Sequence, residues 1–210
     1  VDYEAFAALV DHQVEGGVDF LVPLGTTGET PCLSDEEKIK VLTLAKERSC
    51  GKPVVAGVGT NSLEHTLANI RLLEPHGVDV FLVVVPYYNK PPQEGMYRYF
   101  KAVAEATSKP VLLYNVPGRT GANLEAETTL RLAQIDNIIG IKEASSNRGQ
   151  ILDIIEGRPE GFLVLSGNDD ETFPLMKAGA DGVISVASNI APALVAELAH
   201  AMMEGKIEKA

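Results

Sequence analysis

Short, almost uninterrupted apolar runs alternate with longer amphipathic stretches, and this alternation limits the possible folds more than any other feature of the chain. The runs are Asp19–Leu24, Pro53–Gly57, Val80–Val85, Val111–Asn115, Ile138–Lys142, Phe162–Ser166 and Gly182–Val186. A strand that is apolar at nearly every position is buried on both faces, which means a parallel sheet covered by helices. The intervening stretches carry helix signals. Ser34-Asp35-Glu36-Glu37 offers a capping hydroxyl and then first-turn acids. Asn123-Leu124-Glu125-Ala126-Glu127 reads as a second helix start. Gly16-Gly17, Gly77, Gly140 and Gly179 stand between a helical stretch and the next run, where a left-handed C-cap is wanted. The segments GGVDFL, HGVDVF and AGADGVIS repeat that junction. One β/α unit therefore recurs roughly every 25–35 residues, long enough for a helical crossover between parallel strands.

Two α/β architectures fit such a pattern, a doubly wound open sheet and a (β/α)₈ TIM barrel. The nucleotide fingerprint that favours the first is broken. Gly57-Val58-Gly59-Thr60-Asn61-Ser62 ends in Ser where GxGxxG wants its last glycine, and no Walker lysine follows a glycine loop. The chain opens on an amphipathic helical pattern from Val1 to Phe6. Seven runs and a helical start fit a barrel whose first strand lies ahead of Val1. The expectation is a single TIM-barrel domain over residues 1–210, lacking its first strand.

Composition narrows the partners. The net charge is −11, which opposes phosphate backbones and anionic lipid, so neither nucleic acid nor a membrane surface is expected as a partner. No apolar run approaches the ~18 residues of a membrane span. Cys32 and Cys50 have no CxxC or metal-type spacing and read as free thiols of a reducing, cytoplasmic protein. His12, His65, His76 and His200 fall in helical patterns without partners at ligand spacing, so no metal is expected.

In a parallel barrel the active site is built at the C-terminal ends of the strands. Those ends carry Gly25-Thr26-Thr27-Gly28-Glu29, Pro86-Tyr87-Tyr88-Asn89-Lys90, Tyr114-Asn115-Val116-Pro117-Gly118-Arg119-Thr120-Gly121, Gly140-Ile141-Lys142-Glu143, Ser166-Gly167-Asn168-Asp169 and Ile184-Ser185-Val186. Lys142 stands out because it ends an apolar strand. A desolvated amine loses preference for its charged form and can attack a ketone. The plainer alternative is a lysine that reaches out to water or pairs with Glu143. The Thr26-Thr27 turn offers hydroxyls and backbone N–H groups for a carboxylate, or is simply a capped turn. Tyr88 and Tyr114 read as a proton relay through Thr26, or as packing aromatics. Arg119 reads as a second carboxylate anchor, or as a solvated loop arginine.

The motifs GTTGE, YYNKP, LYNVPGRTG, GIKEAS, LSGNDD and GVISV occur in order across nearly the whole chain. In this the chain resembles the dihydrodipicolinate synthase / N-acetylneuraminate lyase family. The resemblance implies a TIM barrel followed by a C-terminal helical region that this chain lacks, and a homo-oligomer, dimer or tetramer. It implies a class I aldolase-type lyase that needs no cofactor, because the lysine is the electron sink. Lys142 would form a Schiff base with pyruvate. Tyr114, Thr26 and Tyr88 would relay protons, Tyr88 reaching into a neighbouring subunit. Thr27, with Thr26, would hold the pyruvate carboxylate. Arg119 would bind the carboxylate of aspartate semialdehyde, and Gly167 and Ile184 would line the site through their backbones. Tyr88 and Arg119-Thr120-Gly121 point to the branch that makes 4-hydroxy-tetrahydrodipicolinate for lysine and diaminopimelate. The alternative is a lyase acting on N-acetylneuraminate or a 2-keto-3-deoxy sugar acid.

Overall fold

The computed structural model describes residues 1–210. Six strands form one sheet: β1 (Val55–Gly57), β2 (Val80–Val84), β3 (Val111–Asn115), β4 (Ile138–Glu143), β5 (Leu163–Ser166) and β6 (Gly182–Val183). They pair in parallel and in sequence order, β1 to β6. A doubly wound sheet reverses its order at a switch point, whereas a barrel winds one way throughout. The order observed has no reversal and is that of a barrel.

The helices are α1 (Tyr3–Glu15), α2 (Asp35–Arg48), α3 (Leu63–Leu73), α4 (Gln93–Glu105), α5 (Pro117–Thr120), α6 (Ala126–Leu132), α7 (Arg148–Gly157), α8 (Thr172–Lys177) and α9 (Pro192–Met203). The two faces of the sheet differ. One packs on the helices, where Val54, Phe81, Val83, Leu113, Ile141 and Val164 meet Leu42, Ile70, Phe100, Leu132 and Ile151 in the main core. The other carries Val55, Leu82, Leu112, Tyr114, Leu165 and Ile184 in a smaller cluster drawn from the strands and their C-terminal ends. Alternation along each strand makes this division, so Leu112 and Tyr114 face inward while Leu113 faces the helices.

Two local readings need correction. The run Asp19–Leu24 makes one parallel bridge, Leu21 to Val54, rather than a full strand. Pro23 has no N–H to give, and Leu24 takes a left-handed φ of 59° that turns the chain into the Gly25–Gly28 turn. Gly140 is not a helix cap but lies inside β4, where a Cβ would stand 2.5 Å from the Leu163 carbonyl oxygen. The helix start read at Asn123–Glu127 holds, as α6 begins at Ala126 after Glu125, and the Asn123 side chain turns inward. The Ser34 reading holds, as Ser34 and Glu37 close a capping box on α2.

The repeated helix–Gly–Asp–strand junction has a mechanical purpose. Gly77 and Gly179 take φ of 88° and 108°, which ends the preceding helical segment. Asp79 then accepts the Val54 N–H at 2.8 Å and the Lys46 ammonium at 2.7 Å. Asp181 repeats this on the Val164 N–H at 2.8 Å, with Arg158 as its cation. Each aspartate staples the start of its own strand to the neighbouring one. Asp79→Ala should leave the buried Val54 N–H unpaired and cost about 1–3 kcal/mol, seen as a lower denaturant midpoint. An unchanged midpoint would refute the staple.

Candidate active site

The parallel register sets Lys142 directly across from Tyr114 on β3 and from Leu165 on β5. All three face the barrel interior. Lys142 is 8% exposed, and its Nζ lies 4.3 Å from the centre of the Tyr114 ring. The amine therefore points inward, not out to solvent. Burial is the main force on it and drops its pKa to about 8, with the positive charge of Arg119 acting in the same sense and Asp169 opposing. The alternative pairing with Glu143 is excluded, because Glu143 faces the opposite side of the sheet and is held by Asn115, Ser145 and Gln150.

Burial also pushes the Tyr114 phenol above its ordinary pKa, while the Thr26 hydroxyl and the Arg119 charge pull it down. Tyr114 thus stays protonated at neutral pH, beside an amine that readily becomes neutral. Thr26 lies close enough to act on the phenol, although the two hydroxyls do not close a hydrogen bond in this structure. Thr26 and Thr27 sit together in a single 3₁₀ turn, Thr26–Gly28, both exposed at the barrel mouth. Arg119 lies in α5, exposed, close enough for its charge to reach both Lys142 and Tyr114.

Gly167 and Ile184 complete the rim. The Gly167 N–H donates to the Glu143 carbonyl at 2.8 Å and the Ile184 N–H to the Ser166 carbonyl at 2.9 Å, so the strand ladder runs on by one residue past β5 and β6. A Cβ on Gly167 would stand 3.1 Å from Lys142 Cε and 2.6 Å from Ala144 Cβ. The absent side chain leaves room for the lysine. Tyr88 is the one site residue the single chain keeps apart. It is 87% exposed, with its backbone in the left-handed region at φ 72° and its N–H given to the Thr120 carbonyl at 3.0 Å.

Asp169 and Asn115 stand at strand ends in the sequence, but the contacts they make were not foreseen. Asp169 opens the turn after β5 and accepts the N–H groups of Val186 and Ala187, both at 3.0 Å, which ties the β6 loop to the rim. Asn115 and Gln150 cage Glu143 behind the lysine strand. The available signal was a polar residue at the end of the fully buried strand β3.

Together these define a β/α barrel with a buried, readily neutralised lysine at its C-terminal rim, flanked by a protonated tyrosine and a cationic arginine. The profile of the dihydrodipicolinate synthetase family matches residues 1–210, and the chain belongs to that family. A 4-hydroxy-tetrahydrodipicolinate synthase of Parabacteroides distasonis is 50% identical over 212 residues, spanning 100% of this chain and 71% of its own length. Among solved structures, the dihydrodipicolinate synthase of Thermotoga maritima is 45% identical with a TM-score of 0.97, matching 100% of this chain and 72% of that one. The chloride-inhibited dihydrodipicolinate synthase of Acinetobacter baumannii, solved with pyruvate, is 40% identical with a TM-score of 0.95, matching 99% and 72%. This chain thus spans rather more than two thirds of the length of each.

Proposed function

We propose that the chain condenses pyruvate with L-aspartate 4-semialdehyde through a Schiff base on Lys142, giving 4-hydroxy-tetrahydrodipicolinate for lysine and diaminopimelate biosynthesis. The observation that carries this is the inward-facing Lys142 amine, with a pKa of about 8, against Tyr114 in a chain of this family. Relatives at about half identity bear the synthase name, which favours it over the sugar-acid lyases.

In this reading neutral Lys142 Nζ attacks the ketone carbon of pyruvate. Tyr114, kept protonated, gives its proton to the carbinolamine hydroxyl as water leaves and the imine forms. Loss of a methyl proton gives the enamine, whose carbon attacks the semialdehyde's aldehyde carbon. The semialdehyde's amino group then displaces Lys142 as the ring closes. Thr26 links the relay, and Thr27, with Thr26, holds the pyruvate carboxylate. Gly167 and Ile184 line the site with backbone groups. Arg119 holds the semialdehyde carboxylate. No cofactor enters the scheme, because the iminium is the electron sink. Tyr88 completes the relay from a neighbouring copy, a role its exposure supports, so the working form is a homo-oligomer. No helix is long and apolar enough to cross a membrane, and the exposed, unpaired Cys32 and Cys50 support a reducing, cytoplasmic location.

The decisive assay offers the protein pyruvate with aspartate semialdehyde, and separately N-acetylneuraminate and 2-keto-3-deoxy sugar acids. Condensation is the expected outcome; cleavage of a sugar acid without condensation would overturn the reading. Arg119→Ala should raise the KM for the semialdehyde roughly tenfold or more, the loss of a charged carboxylate contact. Pyruvate trapping should slow only slightly, since Arg119 contributes the smaller part of the lysine's depression. Equal loss in both steps would remove Arg119 from its assigned place.

The pH dependence has a definite sign. Below about 8 the neutral fraction of Lys142 rises tenfold per pH unit, and above it the fraction levels off. At pH 7 roughly 300-fold more of the amine is neutral than for a lysine with ordinary pKa. Borohydride trapping with pyruvate should therefore reach half its maximum near pH 8 and a plateau about one unit above it. A rate still climbing toward pH 10 would mean that the amine is not depressed.

A further inference from the structure

Glu143 is fully buried on the outer face of β4, and the scheme above does not use it. It stands opposite Asn115, one step along the ladder from the Lys142–Tyr114 pair. Side chains alternate, so the inner pair and the outer pair share the same few backbone atoms. Asn115 Nδ2 lies 3.2 and 3.1 Å from the two carboxylate oxygens. The Ser145 N–H reaches Oε1 at 2.8 Å, and Gln150 Nε2 reaches Oε2 at 3.2 Å. Burial raises the carboxyl pKa, but every contact it makes is from a donor, so the cage is built for the anion.

The cage is tied outward as well. Asn115 Oδ1 accepts the Leu124 N–H at 2.9 Å, which fixes the orientation of its amide. Asn123 Nδ2 donates to Gln150 Oε1 at 2.8 Å, and the Gln150 N–H is capped by Asn147 Oδ1 at 3.3 Å. The ends of β3 and β4, the segment before α6 and the first turn of α7 thus converge on one carboxylate. A buried ionic cluster is no better for stability than apolar side chains of the same volume. What it adds is direction, at a place where a shift of about 1 Å in the lysine costs on the order of a hundredfold in rate.

We infer that Glu143 is a positioning residue for Lys142: caged by Asn115, Ser145 and Gln150, it fixes the rotation of the β4 terminus that aims the amine into the barrel mouth. The inference rests on Lys142 being the Schiff-base lysine. Glu143→Gln keeps the shape but puts an NH₂ group where either oxygen now receives a donor. Asn115 cannot turn to accommodate it without abandoning the Leu124 N–H. The reversed pair Asn115→Asp/Glu143→Gln restores a donor–acceptor match once the Asn123 and Gln150 amides turn over together, because Asn123 Oδ1 now accepts from Asn115 and Gln150 Nε2 now donates to Glu143.

The test titrates Lys142 by NMR in protein carrying ¹³Cε-labelled lysine, alongside borohydride trapping with pyruvate. Around the amine, Asp169 and Arg119 supply the charges and Tyr114 the neighbouring titratable group. In Glu143→Gln the lysine titration should move up by about one unit as the strand end loosens toward water, and trapping at pH 7 should fall about tenfold. kcat should drop more than KM changes, and the reversed pair should recover most of the loss. A charge effect alone has the opposite sign, since removing a nearby anion lowers an amine's pKa. An unchanged or lower titration in folded Glu143→Gln, or a reversed pair that recovers nothing, would overturn the assignment. Should Glu143→Gln not fold, Gln150→Met removes one donor from the cage, and it must shift the titration upward by a smaller amount or the assignment fails. An unsubstituted chain whose Lys142 titrates low yet traps no pyruvate defeats the Schiff-base reading instead, and leaves the positioning to be judged by the titration.

Discussion

Lys142→Met should abolish trapping of pyruvate by borohydride, lower turnover roughly a thousandfold or more, and make the chain harder to unfold at pH 7. The first two effects follow from removing the only amine the barrel interior presents beside Tyr114 at the rim. The third follows from linkage. The folded-state pKa is about 8 against an ordinary 10.5, so between those values the folded chain binds fewer protons than the unfolded chain. Stability therefore rises with pH across that window, and below about 8 the whole cost of holding a charged amine in burial is present. That cost is on the order of 3 kcal/mol. Methionine fills a similar volume without charge, so it should recover that amount at pH 7, and the gain should vanish as the pH passes about 10.5. Chemical denaturation of parent and variant at pH 7 and pH 10.5 measures it. A variant no more stable than the parent at pH 7 would mean that the amine is already well solvated, and the basis for its reactivity would go with it.

Gly167→Ala is expected to slow imine formation about ten- to a hundredfold and to destabilise the fold by about 1–3 kcal/mol. The new methyl group would stand 2.6 Å from Ala144 Cβ, 3.1 Å from Lys142 Cε and 3.2 Å from the Glu143 carbonyl oxygen. It cannot retreat, because the Gly167 N–H is held by that same carbonyl at 2.8 Å. The lysine stem is the flexible partner and must give way. This glycine is needed for space rather than for backbone freedom, unlike Gly179 with its φ of 108°. Trapping kinetics and a thermal melt on one preparation check both halves. A variant that traps pyruvate at the parental rate would show that the lysine has slack, and the crowding argument would fail.

Sequence patterning was informative where a local rule governs the outcome. Continuous apolar runs meant two-sided burial, and six of the seven expected runs hold a strand that falls within the run or extends it by one residue, as β4 does at Glu143. The exception is instructive. The run ending at Leu24 has the composition of a strand, but Pro23 lacks a donor and Leu24 bends the chain, so a single bridge remains. Gly140 misled for a related reason. Glycine serves both helix caps and close backbone approach, and only the distance to the Leu163 carbonyl separates the two. That Thr26, Thr27, Tyr114, Arg119, Lys142, Gly167 and Ile184 stand at strand ends was legible from the pattern of runs, while the roles proposed for Gly167 and Ile184 came from the family resemblance alone. The cage around Glu143 was not legible, because Asn115, Asn123 and Gln150 meet only when β3, β4 and α7 are packed together.

By itself, then, the order of residues determined the alternation of strand and helix, the parallel burial of the strands on both faces, and which side chains stand at strand ends. Periodicity and turn chemistry are local, acting over a few residues at a time. Only the tertiary structure decided which way each of those side chains points and what surrounds it. It set Lys142 inside the barrel against Tyr114 and Glu143 outside among amides, although the two are neighbours in the chain. A pKa is a property of surroundings, and the surroundings of Lys142 come from segments far apart in sequence, brought together by the parallel pairing of neighbouring strands.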